Sequence, residues 1–472
     1  MLREFQTAKK GTIDMKQVSY LKIGNNKGNK RIWIEGKRLD ECGFKNGLQY
    51  TVNTDTRNRE ITISTHILGE RSVSGRKRLN KTLPIIELCN KTITNFIQCI
   101  MKNTKKIRVL FSKGKLIISI HHFMIKKDER ESKFIDNKRL NQITTTTLCS
   151  GGGISTMALH EGFDDIGLKS RVNCIVDMEG KYIQSAIDNI VCIDSDTIII
   201  ESMIEELEPE LIEPTDILNI SMSCTGHSKS GKAKNKIKLA EDHKTAGTSI
   251  LGLINIIPVF NPSVIISENV VDFKNSASYS LLTGFLRQRG YIVTERILGA
   301  EMGAIEQRNR HIMIAVSEGF SNLFNIDDIL PSMPTDKTLA DIVENIPPES
   351  DQWKKYDYLK EKEIKDLKAG KGFKRQLLKG NEKHCGTIGR GYNKGRSTEP
   401  FIIAPHNSEL SRLFTISEHA NVKNIPVSTV AGVSTTVAHE ILGQSVLYAV
   451  FKSIGQFVAR GINNINILAE AA

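Results

Sequence analysis

Thr144-Thr-Thr-Thr-Leu-Cys149-Ser-Gly-Gly-Gly153-Ile154 is the stretch that decides the fold of this chain. Its β-branched and apolar first half reads as a buried strand, and Ser150 to Gly153 break it where the backbone must turn tightly or approach a ligand. Ile154 to His160 can then start a helix. Working outward, Cys174-Ile-Val-Asp177 is a second apolar strand that ends in an acid, and Lys181 to Asn189 reads as the helix after it. This is a βαβ unit with glycines at the first turn and a carboxylate after the second strand. Such a carboxylate can accept hydrogen bonds from two ribose hydroxyls, so the unit suits a nucleoside-bearing cofactor. Gly-Gly-Gly-Ile is not Gly-x-Gly-x-x-Gly, which disfavours a nicotinamide cofactor and leaves a dinucleotide or S-adenosylmethionine open at this point.

Further on, Asp216-Ile-Leu-Asn-Ile-Ser-Met-Ser-Cys224-Thr-Gly-His-Ser-Lys-Ser-Gly-Lys232 opens as a short apolar strand and ends in a thiol. Ligands of an open α/β sheet bind just outside the carboxyl ends of its strands, so Cys224 is a candidate nucleophile. The plainer reading is a buried structural cysteine. Between Thr225 and Lys244, Lys229, Lys232, Lys234, Lys236 and Lys238 share a segment with Gly226 and Gly231, which reads as a basic lid or as a solvated loop.

The net charge of +12 is unevenly spread along the 472 residues. Residues 1 to 147 hold 31 Lys and Arg against 13 Asp and Glu, a surplus of 18, and the remaining 325 hold 34 against 40. A basic N-terminal third suggests a polyanion-binding appendage. Within it Arg31 to Glu35, Leu48 to Val52 and Arg59 to Thr65 read as strands, Gly36 to Phe44 as a short helical turn, and Lys106 to Ile120 as a hairpin turning at Gly114. Arg71-Ser-Val-Ser-Gly-Arg-Lys-Arg78 reads as a basic loop. His121 to Asn141 is charged, without apolar period, and reads as a linker. The eight cysteines are scattered and form no Cys-x-x-Cys pair, which suggests neither a disulfide framework nor a zinc cluster and suits a reducing cytoplasm. No signal-like or membrane-spanning apolar run is present in the sequence, so we expect a cytosolic protein.

From residue 144 to 460 the order of motifs resembles the DNA (cytosine-5) methyltransferases. Leu148 to Gly153 is similar to that family's first cofactor loop, Ser223 to Lys232 to its nucleophile motif, Ser267-Glu-Asn-Val270 to its Glu-Asn-Val signature, and Glu306-Gln-Arg-Asn-Arg310 to its Gln-x-Arg-x-Arg. Arg412 to Glu418 and Leu442 to Val446 are similar to the last two motifs. The resemblance implies an α/β, Rossmann-like methyltransferase domain with a small target-recognition region, and S-adenosylmethionine as cofactor. Ser150, Gly151, Gly153, Asp177, Met178 and Ser445 would then line the cofactor, with Asp196, after the third strand, as the adenine-contacting acid and Asp194 able to do the same. The patterns Arg31-Ile-Trp-Ile-Glu-Gly-Lys-Arg-Leu39 and Cys42-Gly-Phe-Lys-Asn-Gly47 are also similar to the small β-barrels of SymE-type and AbrB-type proteins, a resemblance that covers about forty residues around them.

The implied chemistry is methyl transfer to carbon 5 of a flipped cytosine in double-stranded DNA. Cys224 would add to carbon 6, Glu268 would stabilise ring nitrogen 3, and Arg308, with Arg310 beside it, would hold the pyrimidine carbonyl and keep the thiol ionised. Ser228 and Lys232 in the loop, and Lys371, Arg375, Arg390, Tyr392 and Arg396 in the Gly-rich basic region after it, are the expected DNA contacts. The chain departs from the family pattern: Ser223 stands for Pro, Thr225 for Gln, Cys149 for an aromatic, Glu306 for Gln and Gln444 for Asn. The expected division is a basic β-rich domain over 1–120, a linker over 121–143, a catalytic domain over 144–321, a recognition region over 322–405, and a return to the catalytic domain over 406–472. A monomer on DNA, in a bacterium or a phage-infected cell and with a companion restriction system, is the expected setting. An RNA cytosine-5 methyltransferase and a DNA-binding regulator built on an inactive scaffold are the alternatives.

Overall fold

The computed structural model describes residues 16–78, 81–102, 104–223, 226–228, 231–232, 235–244, 247–370 and 373–465. Cys224 and Lys371, both singled out from the sequence, lie outside the described residues. The chain divides into two compact units, Met1–Asp128 and Glu129–Ala472.

The first unit is built from strands β1 (Gln17–Lys22), β2 (Gly24–Asn26), β3 (Asn29–Glu35), β4 (Gln49–Asp55), β5 (Glu60–Thr65), β6 (Arg71–Ser72), β7 (Ser74–Arg78), β8 (Lys81–Leu88), β9 (Lys106–Ser112) and β10 (Lys115–Ile120). They form two sheets, ordered β1-β9-β10-β5-β4-β6 and β2-β3-β8-β7. Alternation decides what is buried: Ile61 and Ile63 of β5 and Val109 and Phe111 of β9 point inward onto Ile32, Leu39 and Phe44, while their neighbours face out. The β9–β10 hairpin turns at Gly114, as its sequence implies, with φ at +66°. Arg71 to Arg78 is not a loop. It supplies β6 and β7, because Val73 is buried at its centre and its backbone pairs with β4 and β8.

The expected linker is largely the helix His122–Arg139. Its anchors include polar residues that hide the period: buried Arg130 donates to Ser317 Oγ (3.0 Å) and to the carbonyl of Arg289 (2.8 Å), and Phe134 is fully buried.

The second unit is organised by a seven-stranded sheet of β11 (Ile143–Leu148), β12 (Ser170–Asp177), β13 (Ile198–Glu201), β14 (Ile217–Ile220), β15 (Val264–Val270), β16 (Tyr291–Leu298) and β17 (Arg310–Ser317). The order is β13-β12-β11-β14-β15-β17-β16, with β17 antiparallel to both its neighbours and the other pairings parallel. Strands with helices on both faces must be buried throughout, and β11, β14 and nearly all of β15 are. Three of the four threonines of β11 find side-chain partners inside: Thr144 Oγ1 on Asp216, Thr145 Oγ1 on His160, and Thr147 Oγ1 on Thr156. Strand order reverses between β11 and β14, so the loops after these two strands flank the crevice where ligands of such sheets bind.

Near the end of the described residues stand two helices, Thr435–Gln444 and Tyr448–Asn463, separated by Ser445 to Leu447. The second packs on Ile154–Asp165, the helix after the glycine loop. No single described helix is long and apolar enough to cross a membrane; these two together pass by length and composition only, and their apolar faces are buried. Beyond the sheet, β18 (Gln376–Leu378), β19 (Pro400–Ala404) and β20 (Asn407–Arg412) form a small sheet with its own core of Trp353, Leu378, Ile388, Tyr392, Ile402 and Phe414. The β19–β20 hairpin runs across residue 405, so the expected boundary there cuts a paired element.

Candidate functional site

The loop after β11 is held open by its own backbone. Cys149, Gly151 and Gly153 all have positive φ (55°, 52° and 75°), and Gly153 begins the helix Ile154–Asp165. A Cβ on Gly153 would sit 2.8 Å from Ile190 and 3.1 Å from Ala186, so only glycine fits. Asp177, at the end of β12, clips this loop to the next. Its Oδ2 accepts from Gly151 N (2.7 Å) and its Oδ1 from Glu179 N (3.0 Å). Burial raises the Asp177 carboxyl above its ordinary value, with these two N–H groups opposing the shift. Met178 is exposed beside it, and Ser150 Oγ is buried without a partner. Ser445 donates to the carbonyl of Leu442 (2.7 Å) at the end of the helix Thr435–Gln444.

Asp196 does not join this group. Asp194 and Asp196 precede β13, at the opposite end of that strand from the glycine loop, where Asp194 accepts from Asp196 N (3.0 Å) in a turn. The acid that the strand carries to the ligand edge is Glu201, which pairs in register with Asp177. The apolar run Ile198 to Ile200 is the signal that could have found it. Cys149 is the described thiol nearest the loop, and burial with Asp177 and Glu205 nearby pushes it up to about 12, which disarms it as a nucleophile.

At the end of β15, Glu268 is buried and its Oε1 lies 2.8 Å from Arg310 Nε, at the start of the antiparallel β17. Asn269 donates to the carbonyl of Met222 (3.2 Å), tying this strand end to the segment that leads into Cys224. Arg308, expected to hold the pyrimidine carbonyl, faces elsewhere. Its guanidinium meets Glu306 Oε1 (3.3 Å) and the carbonyls of Ile388 (3.3 Å) and Gln444 (3.5 Å). Of the two arginines, Arg310 is the partner of Glu268. Glu306 is fully buried; it also accepts from Ile388 N (3.1 Å) and sits 3.2 Å from the fully buried ammonium of Lys423, a residue that no motif or period singles out.

The basic loop is docked at His227 and Glu241, while Lys236 and Lys238 are exposed. His227 is buried edge-on against Phe273 at 4.8 Å, and burial lowers its imidazole below the ordinary value. Glu241 accepts from Ser278 N (2.8 Å) and Ser278 Oγ (2.6 Å) at the start of the helix Ala277–Gln288. Ser228 Oγ accepts from Gly231 N (3.1 Å), and Lys232 is half-buried.

Tyr392 cannot contact DNA. It is fully buried, donates to the carbonyl of Pro400 (2.8 Å) and accepts from Phe414 N (2.8 Å), so it is core to the small sheet. Arg375 is held by Glu363 (2.9 Å), and Arg390 reaches Glu179 (3.2 Å) beside the glycine loop. Arg396 is exposed. Aromatic and basic residues interleaved along a Gly-rich stretch do not reveal which of them turn inward, because irregular backbone has no fixed period.

Residues 143–460 match the family model for C-5 cytosine-specific DNA methylase. Over 147 residues the chain is 26% identical to the type II methyltransferase M1.BsuMI of Bacillus subtilis (strain 168), a match covering 30% of this chain and 33% of that protein. The chain thus spans about a third of the length of this curated relative. The fold is similar to that of the S. pombe Dnmt2 methyltransferase (18% identity, TM-score 0.52, covering 69% of this chain and 99% of that one). It is also similar to the Entamoeba histolytica methyltransferase EhMeth (18% identity, TM-score 0.52, covering 67% and 98%).

Proposed function

Because the chain belongs to the C-5 cytosine-specific DNA methylase family, we propose that it transfers a methyl group from S-adenosylmethionine to carbon 5 of cytosine in DNA. The family uses this cofactor, and the residues of the crevice fit it. The glycine loop leaves room for backbone contact, Asp177 and Glu201 end adjacent strands where ribose hydroxyls and an adenine would lie, and Ser150 Oγ is an unsatisfied buried hydroxyl beside them. When bound, the cofactor offers a methyl group on a positively charged sulfur.

The chain's own residues do the rest. A cytosine turned out of the duplex enters between the ends of β14 and β15. The Cys224 thiolate forms a bond to carbon 6, and the electron pair displaced from the ring double bond makes carbon 5 nucleophilic. Glu268 hydrogen-bonds ring nitrogen 3 and takes up the charge that develops there, while Arg310 holds Glu268 and reaches the neighbouring carbonyl. After carbon 5 has taken the methyl group, a base removes its proton and the thiolate leaves, restoring the double bond. Arg308 is a positioning residue: through Glu306 and the carbonyls of Ile388 and Gln444 it ties the recognition region to the cofactor wall.

The observation that carries this reading is the Glu268–Arg310 pair beside the Asn269–Met222 tether, at the sheet edge that also holds the glycine loop. The type II name of the Bacillus relative is the ground for proposing that the chain protects DNA alongside a restriction enzyme. The test is transfer of labelled methyl to mixed-sequence DNA and to transfer RNA by the natural chain and by Cys224→Ala. We expect label in 5-methylcytosine of DNA, abolished in the variant. Label only in RNA would move the substrate, and DNA binding without any label would favour the scaffold reading.

A further inference from the structure

Hydrogen bonds between loops gather one surface on the first unit that the sequence scatters over some seventy residues. Gly114 N donates to the carbonyl of Cys42 (2.8 Å) and Thr65 N to that of Gly114 (2.9 Å). His66 N donates to Gln49 O (3.1 Å), Gly47 N to Val73 O and Val73 N to Leu48 O (both 2.9 Å). Residues 42–49, 65–73 and 112–115 therefore meet at one end of the sheets. Together they carry four cations, Lys45, Arg71, Lys113 and Lys115, against one acid, Glu70, and β7 continues from them with Arg76, which pairs with Glu35 (3.4 Å), and Lys77. Lys45, Lys77, Lys113 and Lys115 are exposed.

Amid these cations stands an apolar tip. Ile67 and Leu68 are 92% and 82% exposed, and Leu48 next to them is 39% exposed. The tip is preformed: His66 Nδ1 accepts from Leu68 N (3.1 Å), His66 O accepts from Gly69 N (3.1 Å), and a Cβ on Gly69 would lie 2.5 Å from the backbone of Tyr50. A fixed turn that keeps two adjacent aliphatic side chains in water, on segments that also carry exposed lysines, calls for a partner that is both polyanionic and able to admit an apolar wedge.

We propose that this end of the first unit is a docking surface for duplex DNA. The lysines lie along phosphates, and the Ile67–Leu68 turn enters a groove against the base edges. The whole unit, residues 1–128, has 27 Lys and Arg against 10 Asp and Glu, the surplus expected of a phosphate-binding surface. Duplex DNA is favoured over an anionic membrane because the other unit belongs to a DNA methylase family; in that choice of partner the inference rests on the proposed function. Two DNA-binding units on one chain raise each other's effective concentration on a duplex.

The test uses the full chain, a mixed-sequence duplex of about thirty base pairs, and binding measured over a range of salt concentrations. Lys77→Ala/Lys113→Ala/Lys115→Ala should weaken binding at least tenfold at moderate salt. It should also flatten the plot of log affinity against log salt by about 2–3, at about 0.9 for each phosphate no longer neutralised. Ile67→Ser/Leu68→Ser should weaken binding with the salt slope unchanged, and should lower the bend reported by energy transfer between the duplex ends. Both variants should keep the natural single-turnover methyl-transfer rate at saturating DNA. Wild-type affinity and slope in both variants would overturn the proposal. So would loss of binding to vesicles of equal phosphatidylcholine and phosphatidylserine with DNA binding unchanged. If the natural chain transfers no methyl group while the variants still lose DNA binding, the catalytic reading fails and this one stands.

Discussion

Glu306, where the family pattern has Gln, is fully buried with Arg308 on one carboxylate oxygen and Lys423 near the other. A buried carboxylate without a cation would cost several kcal/mol, so the departure from Gln is tolerable only because the fold brings Lys423 to it. Lys423 Nζ also donates to the carbonyl of Leu442 (2.5 Å), which the Ser445 hydroxyl shares. Removing one charge should therefore be worse than removing both. Below pH 7, where the ammonium is charged, we expect Lys423→Met to lose about 3 kcal/mol in chemical denaturation and Glu306→Gln/Lys423→Met to recover most of it. Burial pushes the Lys423 ammonium down to about 7, against attraction from Glu306. Its folded value is below the ordinary 10.5, so from about pH 7 to pH 10 unfolding takes up a proton at this site and stability rises with pH. Lys423→Met should remove that rise; an unaltered stability profile across the window would refute the assignment. None of this is legible in the sequence, where Lys423 is one lysine among many and its burial depends on three segments distant along the chain.

The glycine turn after β11 is legible as an element, because a β-branched run broken by three glycines permits few structures. Its conformation makes a local prediction. Alanine at Gly153 would meet positive φ and Ile190 together, which should cost about 1–3 kcal/mol and tilt the start of the helix Ile154–Asp165. The expected readouts are a lower melting temperature and at least tenfold weaker S-adenosylmethionine binding by calorimetry; native-like values for both would show that the loop is not the cofactor cradle. Other elements mislead. Asp196 reads as following the third strand because the acids between Cys192 and Thr197 are conspicuous, whereas β13 begins at Ile198 and brings Glu201 to the edge. The charged stretch ahead of β11 is a helix whose buried members include Arg130 and Asp128, so a scan for apolar period passes over it.

Taken whole, the chain is two compact units, each with its own hydrophobic core. A ligand stabilises only what it binds, by about 2.7 kcal/mol at a hundredfold excess over its dissociation constant. Scanning calorimetry should resolve a transition that S-adenosylmethionine raises and one from the β-rich unit that it leaves in place; no shift in either would count against the cofactor. At this scale the sequence by itself determined a great deal: the α/β class, the family, the cofactor and the split between a basic N-terminal part and a mildly acidic remainder. Strand period, glycine turns and ordered motifs are local, and local signals survive in one dimension. Only the tertiary structure decided that Arg310 rather than Arg308 meets Glu268, that Glu201 and not Asp196 stands beside Asp177, that Tyr392 is core, and that Lys423 neutralises Glu306. It also brought Ile67 and Leu68 among lysines from separate loops. Each of these depends on which side chains converge from distant segments, and that is set by strand order, register and burial rather than by neighbours along the chain.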